Sequence, residues 1–165
     1  MKNPDFLVYS SMNLHEIIAQ LNEVYDGNPW YGNSVSNYLQ EIKPEMMSNK
    51  CANSHSIGQV IAHMVTWREY VIAKLENKAY DLEVGGANDW EDHEFTADDK
   101  VALYAKFKAT QKSLTTILSG KSDEFLTQKA PDLSITFEKL LIGIIQHDIY
   151  HLGQIYLLRS VKPAR

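Results

Sequence analysis

Four long stretches of this chain repeat apolar residues at the spacing of one helical face, and none alternates them as a half-buried strand would. From Ser11 to Asp26, the residues Leu14, Ile17, Ile18, Leu21, Val24 and Tyr25 follow the steps 3, 1, 3, 3, 1 of a single stripe. Gly27 is expected to cap that helix in a left-handed conformation, and Pro29 blocks continuation. Tyr38, Leu39 and Ile42 predict a shorter helix after Asn33. Ser56 and Gln59 have the spacing of a capping box and open the second long helix. Its stripe is Ile57, Val60, Ile61, Met64, Val65, Val71, Ile72 and Leu75, and it fades near Asn77. The third begins after Thr96, with Asp99 as the cap partner. Val101, Tyr104, Phe107, Leu114 and Leu118 line its inner face, and Gly120 ends it. The fourth runs from Thr136 to Ser160 with Leu140, Leu141, Ile144, Ile145, Leu152, Ile155, Tyr156 and Leu158.

These stripes predict an all-α chain, a four-helix bundle forming one domain over residues 1–165. At 165 residues and 44% apolar composition the chain can bury a substantial core. The joints at 27–55, 78–95 and 120–135 exceed the roughly 2–8 residues usual between antiparallel neighbours. A simple up-down order is therefore not required. The second joint carries Asp89, Glu91, Asp92 and Glu94 around Trp90. It reads as a solvated crossover, with a lid or rim over a site as the alternative.

Charge and termini narrow the function classes. Lys+Arg is 16 against Asp+Glu 21, a net charge of −5, which predicts no nucleic-acid partner and no anionic membrane surface. A single cysteine, Cys51, excludes an intrachain disulfide; beside Lys50 in a loop, it reads as an ordinary free thiol. The opening MKNPDFLVYSS lacks the apolar core of a secretion signal, and the run from Leu140 to Ile145 is too short to span a bilayer. A soluble, cytoplasmic protein is expected.

Of six histidines, His147 and His151 carry the most information. Four residues apart on a helix, their side chains lie about 40° apart in azimuth and one turn apart along the axis. That spacing can bracket one metal ion, and imidazole suits zinc, nickel, iron and copper. A shared cation also removes the difficulty of burying two imidazoles in the most apolar helix. The alternative is one buried, hydrogen-bonded histidine with its neighbour at the surface. His63, among Val60, Met64 and Trp67, is the natural third ligand; alone it would read as a core histidine. It lies about 10 Å beyond Ser56, and the His147/His151 pair lies about 15 Å before Arg159. These heights match only if the second and fourth long helices are antiparallel. His15, His55 and His93 read as structural or solvated. Asp148 reads as a second-shell acceptor or, in preference, a solvent-facing acid. Gln154 could orient a ligand or simply pack. No G-x-S-x-G elbow, P-loop, dinucleotide-type glycine pattern or H-E-x-x-H glutamate is present.

The segment SIGQVIAHMVTWREYVIAKL, with His63, resembles the second helix of the DinB/YfiT-like family. HDIYHLGQIYLLR, with His147 and His151, is similar to its last helix, and NPWYGNSVSNYLQEI to its first connection. The resemblance covers nearly the whole chain. It implies a bundle in up-down-down-up order and a divalent metal ion, zinc or nickel, held by His63, His147 and His151. It also implies a homodimer. Relatives are described as metal-dependent hydrolases, and some transfer low-molecular-weight thiols. Three protein ligands leave open coordination positions, as catalytic metals require. The expectation is a metal-dependent hydrolase or a low-molecular-weight-thiol S-transferase acting on a small-molecule substrate. A thiol cosubstrate would find cationic groups at the mouth from residues such as Arg68, Lys74 or Arg159. The rival expectations are a non-enzymatic metal-binding or stress-response bundle, and a metal-free interaction module.

Overall fold

The computed structural model describes residues 12–161. The opening MKNPDFLVYSS, including the expected helix start at Ser11, lies outside them. Six helices form, and no strand, among the described residues: α1 Leu14–Asp26, α2 Val35–Glu41, α3 Ile57–Leu75, α4 Ala97–Ser119, α5 Asp123–Leu126 and α6 Phe137–Arg159. A 3-10 turn at Pro44–Met46 lies between α2 and α3. The chain is all-α, as the periodicity predicts.

The helix starts follow their cap chemistry. Ser56 and Gln59 exchange reciprocal bonds at α3, and Thr96 and Asp99 do so at α4. Asn13 and Glu16 make the same box at α1, and the Thr136 hydroxyl accepts from the Lys139 amide at α6. Gly27 departs from expectation: its φ is −83°, not left-handed. A side chain is excluded there by crowding, because a Cβ would lie 2.6 Å from the Glu23 Cα. The left-handed residue at a helix end is Asn77, at φ 54°, just past α3.

Pairs of touching residues fix the helix directions. His63 meets His151, Arg68 meets Asp148, and Lys74 reaches Asp132 just ahead of α6. Rising numbers on α3 meet falling numbers on α6, so these helices are antiparallel. On α1 and α4, Asn22 bonds Gln111 and Tyr25 stacks on Phe107, again in opposite senses. α3 packs against both α4 and α6. It is accordingly buried on most faces, including His63, Arg68 and Lys74. Ile17, Ile57, Phe107, Leu114, Leu118, Leu141 and Ile155 make the fully buried centre. Two stripe assignments were misplaced: Val101 is 69% and Tyr156 53% exposed, and Leu103 takes the inward place near the start of α4. No helix among the described residues is long and apolar enough to cross a membrane.

Candidate metal centre

Antiparallel packing brings His63 on α3 level with His147 and His151 on α6. The His63 Nε2 lies 3.0 Å from the His147 Nε2, and the His151 Nε2 lies 3.1 Å from it. One ligand atom from each residue fits within a 4.8 Å cluster. The outer nitrogens decide the tautomers. The His63 Nδ1 sits 2.7 Å from the Asp89 Oδ1 and 3.1 Å from the Asp89 carbonyl oxygen, and the His151 Nδ1 sits 2.8 Å from the Gln154 Oε1. Both Nδ1 atoms donate their proton outward, so both Nε2 atoms turn bare lone pairs toward His147. Burial pushes the His147 imidazole down to about 3, with His151 and His63 adding to the effect. Burial likewise lowers His151 to about 4, and lowers His63 against the pull of Asp89. All three are neutral near pH 7, the form that ligates a metal.

Neutral imidazoles leave this cluster short of protons. Two nitrogen–nitrogen contacts converge on the His147 Nε2, which has at most one proton to share. Its Nδ1 is buried without a partner. A cation among the three lone pairs removes the conflict. An ion about 2.0–2.1 Å from two imidazole nitrogens holds them about 2.9–3.4 Å apart at bond angles of roughly 90–110°. The observed 3.0 and 3.1 Å fall in that range. The donor set therefore fits a divalent metal.

Asp89 and Trp90 of the acidic joint belong to this centre, as the rim alternative expected, while Glu91, Asp92 and Glu94 are exposed as in a solvated crossover. Asp89 is 2% exposed. Its Oδ1 also accepts from the Trp67 indole at 2.9 Å, and its Oδ2 from the Gly85 amide at 2.7 Å. Trp90 stacks at 3.8 Å on His63 and at 3.6 Å on His55, each within 9° of parallel. Two rings cannot share one face of an indole at those distances, so Trp90 is clamped between them. His55 therefore has a place beside the centre, although it is exposed. Gln154 orients His151, one of its two expected roles.

Other candidates lie elsewhere. Asp148 is not solvent-facing; it is fully buried and pairs with the Arg68 Nε at 3.0 Å. Burial pushes its carboxyl up to about 6 in spite of that guanidinium. Arg68 is likewise buried. It donates to the Gln111 Oε1 from both terminal nitrogens and lies 4.4 Å over the Phe107 ring. Lys74 pairs with Asp132, and Arg159 with Glu41. None of the three expected cations waits free at a mouth. His15 is exposed, and His93 lies between Glu91, Asp99 and Phe95. Cys51 is an exposed free thiol and, unlike these, lines the same cavity as His151.

Two cavities flank the centre. One of about 510 Å³ reaches His151, and one of about 210 Å³ reaches His147 beside Trp67. The histidine pattern and fold now have a match over nearly the whole described chain: residues 12–160 correspond to the DinB family. The chain belongs to the DinB family. Its fold is also that of the colibactin self-resistance protein ClbS, solved in complex with a dsDNA. The TM-score is 0.69 at 16% identity, over 93% of this chain and 98% of that one. No curated protein matches the chain.

The ClbS complex overturns the exclusion of nucleic acid drawn from net charge. A sum over the whole surface does not report where charge lies. On α4, Lys106, Lys108 and Lys112 are exposed, and no acidic residue follows Asp99 on that helix. Lys108 and Lys112 lie about 40° apart and share one face, whereas Lys106 is about 160° round from Lys108, beside Glu69 and Glu76, so a chain of net charge −5 still places two lysines together.

Proposed function

We propose that His63, His147 and His151 hold one divalent cation, zinc or nickel, through their Nε2 atoms, and that the protein is a metal-dependent enzyme. The reading rests on one observation: two nitrogen contacts meet at a histidine with at most one proton to share. Such an ion would supply Lewis acidity and lower the pKa of a water or thiol within reach. Asp89 and Gln154 keep the Nδ1 protons of His63 and His151 turned outward, which frees the inner lone pairs. Trp67 and Trp90 shield His63 from water. The described residues offer no serine–histidine pair or activated cysteine, which suits hydrolysis or thiol transfer without a protein nucleophile. Alanine at His63, His147 and His151 together should abolish metal content in protein purified without a polyhistidine tag. It should also abolish turnover in ester, amide and thiol–electrophile panels. Unchanged metal content in that variant would sink the assignment.

A second reading follows from ClbS: the bundle engages duplex DNA, with Lys108 and Lys112 of α4 meeting phosphates. Contacts of this kind weaken steeply with salt. Charge reversal at Lys108 and Lys112 should remove salt-dependent binding to a duplex. Equal binding before and after reversal would reject this role for α4.

A further inference from the structure

The 510 Å³ cavity beside His151 has the size of a small-molecule site. Its walls are Val60, Leu157, Leu158 and Val161, with Tyr150 and the exposed ring of His55 at the rim. Tyr150 is 64% and Leu157 68% exposed, so both border the mouth. Gln154 and His151 are at the inner side, already bonded to each other. No lysine, arginine, aspartate or glutamate among the described residues lines it. Arg68, Lys74 and Arg159 are each committed to a carboxylate elsewhere. Along the walls away from the three histidines, a charged group entering this space would lose water and meet no side-chain counter-charge, whereas an apolar body would gain from leaving water.

We infer that the cavity binds the uncharged, apolar body of the substrate, with the reacting end turned to His151. This rests on the catalytic reading of the three histidines and narrows it. Anionic low-molecular-weight thiols are disfavoured as occupants, and neutral aromatic or aliphatic compounds are selected.

A matched pair of fluorescent probes tests the charge rule: N-phenyl-1-naphthylamine, which is neutral, and 1-anilinonaphthalene-8-sulfonate, the same body with an anionic group. The chelator-treated protein, with no ion to draw the sulfonate, should bind the neutral probe at least about ten-fold more tightly, as an uncompensated buried anion requires. Leu157→Arg, at the exposed rim, should weaken the neutral probe and tighten the sulfonate. Val84→Arg, on an equally exposed valine away from the cavity, should change neither. Equal affinity for the two probes, or a response to Val84→Arg matching that to Leu157→Arg, overturns the inference. So does a wild-type dimer that Leu157→Arg disperses in sedimentation, because the face would then be a subunit interface. Metal content of the triple-alanine variant is read separately. Its persistence would remove the catalytic reading while leaving the probe preference to stand or fall alone.

Discussion

One residue 26 positions further along the chain decides which nitrogen of His63 is free: the Asp89 carbonyl at 3.1 Å and its carboxylate at 2.7 Å both face the Nδ1. Asp89 takes the Nδ1 proton and, through Trp67 and Gly85, is itself held in place. Outer partners of this kind typically account for about 10–100-fold in metal affinity. Asp89→Asn keeps the shape but removes the charge that makes the imidazole a stronger donor. Zinc affinity, measured by competition with a chromophoric chelator, should fall by about that factor. Asp92→Asn, exposed in the same joint, should leave it unchanged. Equal affinities for the two variants would show that Asp89 only fills space. The histidines were legible because a four-residue interval on a helix is a geometric statement. Asp89 was not, because no periodicity ties a loop residue to a helix face. Asp148 misled for a related reason. Its azimuth points away from the His147 face, and only the packing of Arg68 against that side reveals that the direction leads into the core.

At the scale of elements, α3 is the helix on which most depends, since it supplies His63 and touches both α4 and α6. Its first turn passes so close to Phe95, at the end of the acidic joint, that a Cβ on Gly58 would come within 3.0 Å of that side chain. Glycine here is a demand of the approach between α3 and the segment that carries Asp89. Gly58→Ala should cost about 1–3 kcal/mol from overpacking, outweighing the gain of up to roughly 1 kcal/mol in helix propensity. Gly143→Ala on α6 meets nothing within 4 Å and should stabilise by about 0.5–1 kcal/mol. Urea midpoints moving in opposite directions for the two variants are the expected result. The long helices were legible because their caps are chemical signatures: S-x-x-Q at 56–59 and T-x-x-D at 96–99 form the predicted boxes. The four-residue α5 and the 3-10 turn were not, being too short to show a period. Val101 stands three residues before Tyr104 yet faces water, because it lies about 120° round the helix from Phe107, while Leu103 in the same turn is buried.

For the whole molecule, an ion at the three histidines would hold the fold in a different way from the apolar core. In a small zinc domain, metal binding and folding are one event. Here a continuous core runs through α1, α3, α4 and α6 without reference to the histidines. Chelation should therefore leave the chain helical. The loss should appear as stability, because an ion that binds only the folded state adds about 4 kcal/mol when its free concentration is 1,000 times its dissociation constant. For a chain of this length that corresponds to a melting temperature lower by roughly 8–16 °C. Circular dichroism before and after treatment with a chelator should show the same helix signal at 25 °C and a melting point lowered by that amount. Adding zinc should restore it. The triple-alanine variant should melt at a temperature that neither chelator nor zinc alters, which separates binding at these histidines from binding elsewhere on the surface. A wild-type melting point indifferent to chelator would mean that α3 and α6 are joined by side-chain packing alone.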